Sequence, residues 1–320
     1  MIEVKKNNFL FNEEVNNYLK NIIKTKSFAN GYIFYGAEGV GKKQTAFQFI
    51  SEILKESSQN ENVGESIANN NNPDFLIIEP NSLLETQRTK SFDLEKTTKN
   101  GFEIIKIAQI RSIKTFLGQK SINSGKKIVL IIDAHLLNEA ASNCLLKTLE
   151  EPFNGIFILL TTKLNLLEDT IISRCQIVRF RSFSSKQIKY LIKDHFDSSK
   201  FNTITKFKFE DLINSANGSP GQLLKNIEIW NELSDEIQSK LDSPLKKSLE
   251  ILEVSKFISE KLEIYQQICL VNFIQIIWWR KTKNINLVKR LEKLKFHLRK
   301  NIQPKLAWEI TFLKISMEEI

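Results

Sequence analysis

A chain of 320 residues, 42% of them hydrophobic, can hold one large domain or two to three smaller ones with proper cores, so the fold need not be small or stapled. Its three cysteines, Cys144, Cys175 and Cys269, lie far apart with no C-x-x-C pair, which argues against a disulfide framework or a cysteine zinc site and for a reducing, cytoplasmic setting. The formal net charge of +9 suits a phosphate-bearing partner, but Lys, Asn, Ile and Phe are all abundant, a bias that AT-rich coding produces without any DNA contact.

In chain order, residues 1–10 carry Glu3 and two lysines but no continuous apolar run, so no secretory signal is expected there. Residues 31–36 form a β-branched and aromatic run ending in a glycine-rich turn, and 42–54 have helical spacing: strand, loop, helix. Residues 55–72, rich in Ser, Asn and Glu, read as a surface loop. Phe75–Ile78 reads as a short buried strand; after a polar stretch over 81–100, Ile107, Ile110, Ile113 and Leu117 recur at helical intervals. Residues 128–132 are five consecutive aliphatics, the pattern of a central parallel strand, and Asp133 ends the run. Asn138 is placed to cap a helix whose face is Ala141, Cys144, Leu145, Thr148 and Leu149 and which Pro152 stops. Two more strands follow, 156–160 running into Thr161 and Thr162, and 176–180 after Ser173, Arg174 and Cys175. This alternation predicts an α/β domain, a parallel sheet covered on both faces.

Beyond Ser184 the strand pattern disappears. Helices are expected over 184–196, 209–216 and 222–233, with Gly218 to Gly221 as the turn before the last, and after Pro244 three or four longer helices run to Ile320. The apolar stretch 264–279 is interrupted by Gln266, Gln267, Asn272 and Gln275, which are costly in hydrocarbon, so it reads as a buried helix and not a membrane span. Three domains are expected: an α/β core over 1–182, a small helical lid over 183–240, and a helical C-terminal domain over 241–320.

Gly36 to Lys42 fits the phosphate-loop pattern G-x-x-x-x-G-K, between a strand and a helix. Gly36, Gly39 and Gly41 let backbone N–H groups curl around phosphate oxygens, the helix N-terminus adds positive potential, and Lys42 would reach the terminal phosphates. The next position normally supplies a Ser or Thr hydroxyl to Mg²⁺. Here it is Lys43, whose ammonium has no lone pair for a metal and repels it. Asp133 stands where such folds orient the metal's water shell, but Ala134 replaces the Glu that activates the attacking water, and His135 is one place too far along. The expectation is weak or absent ATP binding and no ATPase activity by the chain alone.

With these residues in view, the chain resembles the clamp-loader ATPases of bacterial DNA polymerase III, within the AAA+ class of P-loop proteins. The carrying residues are Gly36 to Lys42, Gln109-Ile110-Arg111, Ile131-Ile132-Asp133, Leu145 to Pro152 (L-L-K-T-L-E-E-P), Thr161-Thr162 and Ser173-Arg174-Cys175, and the match covers most of 10–225. It continues weakly in Asn301-Ile302-Gln303 and the helix after it. The resemblance implies that Thr162 belongs with Asp133 to the nucleotide site. It also implies that Ser173, Arg174 and Cys175 present an arginine finger to the nucleotide of an adjacent subunit, an effect worth ~10³ to 10⁵ in rate. The competing local reading pairs Arg174 with a nearby carboxylate. Motor subunits of the family carry G-S-x-R in the lid; this chain has Gly218-Ser219-Pro220-Gly221. The deficits resemble the delta-prime branch, which gives catalysis without performing it. The implied partners are gamma/tau and delta subunits, joined through a C-terminal collar, and through them the sliding clamp and primed DNA of the polymerase holoenzyme. Many relatives bind a structural zinc with four cysteines between the first helix and the second strand; 55–72 contains none, so zinc is not expected. The alternatives are an active motor ATPase of the same family, a P-loop small-molecule kinase, and a plain DNA-binding module resting on the charge alone.

Overall fold

The computed structural model describes residues 12–57, 66, 72–80, 104–122, 125–151, 155–195, 206–300 and 302–318. The N-terminal ten residues, nearly all of the loop expected beyond residue 57, the stretch 81–100, Pro152 and Asn301 lie outside these. The chain divides into two compact units, Asn8–Ser182 and a second containing Phe183–Ile320.

The first unit opens with a helix that the strand-and-loop pattern did not announce, α1 (Glu13–Thr25). Val15, Leu19, Ile22 and Ile23 recur at helical spacing and are buried, while Glu13 and Glu14 in the first turn and Lys24 in the last complement the helix dipole. The sheet consists of β1 (Gly31–Tyr35), β2 (Phe75–Ile78), β3 (Lys127–Ile131), β4 (Gly155–Thr161) and β5 (Gln176–Arg179), all paired in parallel in the order β2-β3-β4-β1-β5. The expected α/β parallel-sheet class is what the residues build. Strand β3 begins at Lys127, whose buried ammonium donates to the Phe116 carbonyl at 2.5 Å and lies 4.4 Å above that ring.

Because strand side chains alternate, the odd positions Ile33, Val129, Ile131, Phe157 and Leu159 share one face. That face forms one cluster with Ile110, Ile113 and Leu117 of α3 (Ile107–Gly118), Ala141, Leu145 and Leu149 of α4 (Glu139–Glu150), and Ile171 of α5 (Asp169–Ile172). On the other face Tyr32 and Phe34 meet Phe49 of α2 (Lys42–Ser57) at ring separations of 5.5 and 6.5 Å. Helix α2 therefore runs a turn further than its apolar spacing indicated, taking in Lys55, Glu56 and Ser57 from the stretch read as loop. Asn138 does cap α4, its side chain accepting from the Ala141 N–H at 2.8 Å.

The second unit is all helix among its described residues: α6 (Ser185–His195), α7 (Lys206–Ser215), α8 (Pro220–Glu232), α9 (Asp235–Lys240), α10 (Ser248–Lys261), α11 (Ile264–Thr282), α12 (Ile285–Arg299) and α13 (Pro304–Glu318). The segment 218–221 is only partly a turn: Ser219 is the N-cap of α8, accepting from the Gln222 N–H at 3.0 Å, and Pro220 and Gly221 form its first turn. The short α9 was not foreseen. Helices on both sides of residue 240 share one core, where Trp230 of α8 meets Phe273 of α11 at 4.7 Å and Arg280 of α11 reaches the buried Asp211 of α7 at 2.6 Å. The interior glutamines of α11 are satisfied within that core. Gln267 donates to the Leu262 carbonyl at 2.8 Å and accepts from the Trp308 indole at 2.9 Å, so its burial costs little. No helix among the described residues is long and apolar enough to cross a membrane.

Trp278 is the keystone of this unit, fully buried, with its indole N–H on the Leu241 carbonyl at 2.8 Å and its ring 5.7 Å from Phe312. Trp278→Ala is expected to cost ~3–5 kcal/mol, because a large cavity and an unpaired carbonyl are left behind. Urea unfolding monitored by circular dichroism checks it.

Candidate functional site

In a parallel sheet the loops at the carboxyl ends of the strands converge where the chain order reverses. Here β4 lies between β3 and β1, so the loop after β1, Asp133 after β3 and Thr161 at the end of β4 meet along one sheet edge. Gly36 continues β1: its N–H donates to the Thr161 carbonyl at 3.3 Å, and a Cβ there would stand 2.5 Å from the Phe180 carbonyl oxygen. Gly39 and Gly41 have φ of 73° and 93°, left-handed conformations that a side chain resists. The loop has the backbone form that a phosphate cradle requires.

Its lysine is turned inward. Lys42 Nζ donates to the carbonyls of Gly36 at 2.7 Å and Ala37 at 2.6 Å, and the residue is buried. Burial lowers its pKa to about 8 against the opposing pull of Asp133 and Glu38. Asp133 is held in a left-handed conformation, φ 52°, at the head of a single turn. Ala134 after it is fully buried in the apolar cluster beneath the sheet. His135 Nδ1 lies 3.3 Å from the Thr161 hydroxyl, which also accepts from the Lys163 N–H at 3.1 Å. Burial lowers the His135 pKa, with Asp133 pulling it up and Lys163 and Lys42 pushing it further down, so the ring is neutral at neutral pH. Thus Lys42, Asp133, His135 and Thr161 come together. Thr161, and not the adjacent Thr162, makes the recorded contact; both stood at the strand end in the sequence, and only the strand register separates them.

Lys43 is directed elsewhere. Its ammonium sits 3.0 Å from Glu79 Oε1, just past β2, and 6.0 Å from the Phe47 ring centre. The backbone carbonyl of Glu79 accepts from the Gln109 side chain at 2.8 Å, and Gln109 Oε1 accepts from the Lys106 N–H at 2.9 Å. The Gln109 motif therefore ties the start of α3 to the end of β2.

Ser173, Arg174 and Cys175 form the turn between α5 and β5. Cys175 packs into the space above Gly31, where a Cβ would meet its sulfur at 2.5 Å, and burial pushes its thiol up to about 11. It is a packing group that anchors the turn. The Ser173 hydroxyl donates to the Thr170 carbonyl at 3.0 Å. Arg174 donates to the same carbonyl at 3.0 Å and to Glu150 Oε1 at 2.7 Å, the carboxylate being the first Glu of L-L-K-T-L-E-E-P. The local pairing is therefore present. Both side chains remain substantially exposed, 38% and 52%, and pairs of that kind are worth ~0–1 kcal/mol. Gly221, in the second unit, carries no side chain and lies in the first turn of α8.

Comparison with known proteins gives a consistent picture. Residues 11–184 match the family model "DNA polymerase III, delta subunit", and residues 194–315 match the model of the cyanobacterial DNA polymerase III delta prime C-terminal domain. The chain is similar to the DNA polymerase III subunit delta' of Bacillus subtilis, 29% identical over 177 residues, covering 53% of this chain and 48% of the relative. It is also similar to the subunit gamma/tau of Mycoplasma genitalium, 29% identical over 224 residues, covering 70% of this chain and 34% of that protein. The chain thus spans about a third to a half of the length of these curated relatives. A gamma subunit-related protein of Thermotoga maritima has the same fold over 94% of this chain and 99% of its own, with a TM-score of 0.53 at 17% identity.

Proposed function

Because the chain belongs to the DNA polymerase III delta-subunit family, whose model matches residues 11–184, we propose that it is a delta-prime-like clamp-loader subunit that does not hydrolyse ATP itself. It takes its place in a ring with gamma/tau and delta subunits, offers Arg174 to the nucleotide of a neighbour, and so helps place a sliding clamp on primed DNA. The observation that carries the reading is the state of the two loop lysines. Lys42 is fastened to its own loop's carbonyls, and Lys43 holds the metal-ligand position as an ammonium paired with Glu79. Without a hydroxyl there, Mg²⁺ has no protein ligand from the loop, and with Ala134 buried no carboxylate follows Asp133 to activate water.

Arg174 complements these deficits. The exposed pair with Glu150 can be given up for ~1 kcal/mol or less, whereas a guanidinium on a transferring phosphate returns several times that in the transition state. The test is turnover by the purified chain alone and mixed with gamma/tau-type motor subunits. Alone it is expected to release phosphate no faster than a buffer blank; the mixture is expected to exceed the sum of its parts. Brisk turnover by the chain alone would make it a motor ATPase and end this reading.

A further inference from the structure

The turn that carries Arg174 and the end of α4 are pinned together at one point. A Cβ on Gly31 would meet Cys175 Sγ at 2.5 Å and Leu149 Cδ2 at 3.6 Å, so the residue after Arg174 and the residue before Glu150 both seat over that glycine. Leu149 and Ile171 also share the buried cluster beneath the sheet, which fixes their chain neighbours Glu150 and Thr170 against each other. The turn is tight: the Arg174 N–H bonds the Ile171 carbonyl at 3.2 Å, three residues back, and not the Thr170 carbonyl that a regular α-helix would use. The Thr170 carbonyl is left for side chains, and it accepts from the Ser173 hydroxyl and from Arg174 Nη1, each at 3.0 Å. Arg174 Nη2 donates to Glu150 Oε1 at 2.7 Å. Each terminal nitrogen of the guanidinium thus rests on a different acceptor, one from α5 and one from α4.

We propose that Glu150 is a positioning residue for Arg174: its carboxylate, together with the Thr170 carbonyl, holds the guanidinium in the attitude in which it meets a neighbour's phosphate. Two acceptors on two separate elements set the plane of the guanidinium as well as its place, which one anchor cannot do. An arginine has five N–H donors, so these two bonds leave three to meet phosphate oxygens. A loose arginine would have to be ordered as the transition state forms; one already held has no such reorganisation to make. The exposed pair adds little to the stability of the domain, so its value lies in aim and not in strength. This assignment rests on the role given to Arg174 above and adds a second residue to it.

The experiment is steady-state ATP hydrolysis by the complex reconstituted from the full 320-residue chain with gamma/tau-type and delta subunits. Glu150→Ala is expected to lower kcat by roughly ten- to a hundredfold while KM for ATP changes less than about twofold, the signature of lost aim at a phosphate bound elsewhere. Glu150→Gln keeps an oxygen that accepts from Arg174 and is expected to recover most of the rate. Glu151→Ala, which removes the same charge one residue further on, is expected to change it less than about twofold. In an Arg174→Ala background Glu150→Ala is expected to cost nothing more, because no guanidinium is left to hold. The proposal is overturned if Glu150→Ala in an intact complex works like the parent, if Glu151→Ala loses as much, or if the losses at 150 and 174 multiply. An undiminished rate with Arg174→Ala would end the role of Arg174 and this assignment with it; a slow Arg174→Ala beside an unaffected Glu150→Ala would end this assignment alone.

Discussion

Replacing Arg174 by Ala is expected to slow hydrolysis at the nucleotide site facing this chain by ~10³ or more, ~4 kcal/mol of transition-state stabilisation, while leaving the reconstituted complex intact. The change should act on chemistry alone because the side chain contributes little to its own domain. Its carboxylate partner Glu150 is half exposed, and the turn is anchored by Cys175 over Gly31 and by the buried Ile171. Arg174→Lys should rescue little, since an ammonium lacks the planar fork that grips two phosphate oxygens. Single-turnover hydrolysis at saturating ATP, with assembly followed by gel filtration, separates the two effects. An unchanged rate in an intact complex would remove Arg174 from the mechanism.

Restoring the metal ligand should have the second largest effect. Lys43→Thr puts a hydroxyl at the head of α2 and removes an ammonium that repels Mg²⁺; the Lys43–Glu79 pair is exposed, so the domain should tolerate its loss. The expected result is an ATP affinity at least tenfold higher with Mg²⁺ than with a chelator, where the parent chain shows no such difference. Hydrolysis should stay at background, because nothing at Ala134 can activate water. Isothermal titration with and without Mg²⁺, beside a phosphate-release assay, reads both. Equal affinities under the two conditions would mean that Lys43 is not the obstacle. Ala134→Glu is a poorer probe, since it would press a carboxylate into an apolar cluster.

The parts of this molecule that are local in the chain were legible before any coordinates. Five consecutive aliphatics can only be a strand buried on both faces, and a glycine loop between strand and helix keeps its geometry wherever it is placed. Helix α1 escaped because Asn16, Asn17 and Asn21 interleave its apolar positions and mask their spacing, although Val15, Leu19, Ile22 and Ile23 form a complete stripe. Helix α2 overran its forecast because Lys, Glu and Ser are as much at home on the outer side of a helix as in a loop. What could not be read was tertiary. Arg174 and Glu150 are 24 residues apart, and Lys43 and Glu79 are 36; nothing in their spacing joins them. That Thr161 is the residue beside His135 likewise depends on the strand register, 26 residues away in the chain.

Lys42 is tied to the carbonyls of Gly36 and Ala37, so its loop is braced by its own backbone and not by a ligand. In nucleotide-driven rings, shape follows the fuel: each loop tightens on a triphosphate and slackens on its loss. A loop whose tension comes from within keeps its form without any such cycle.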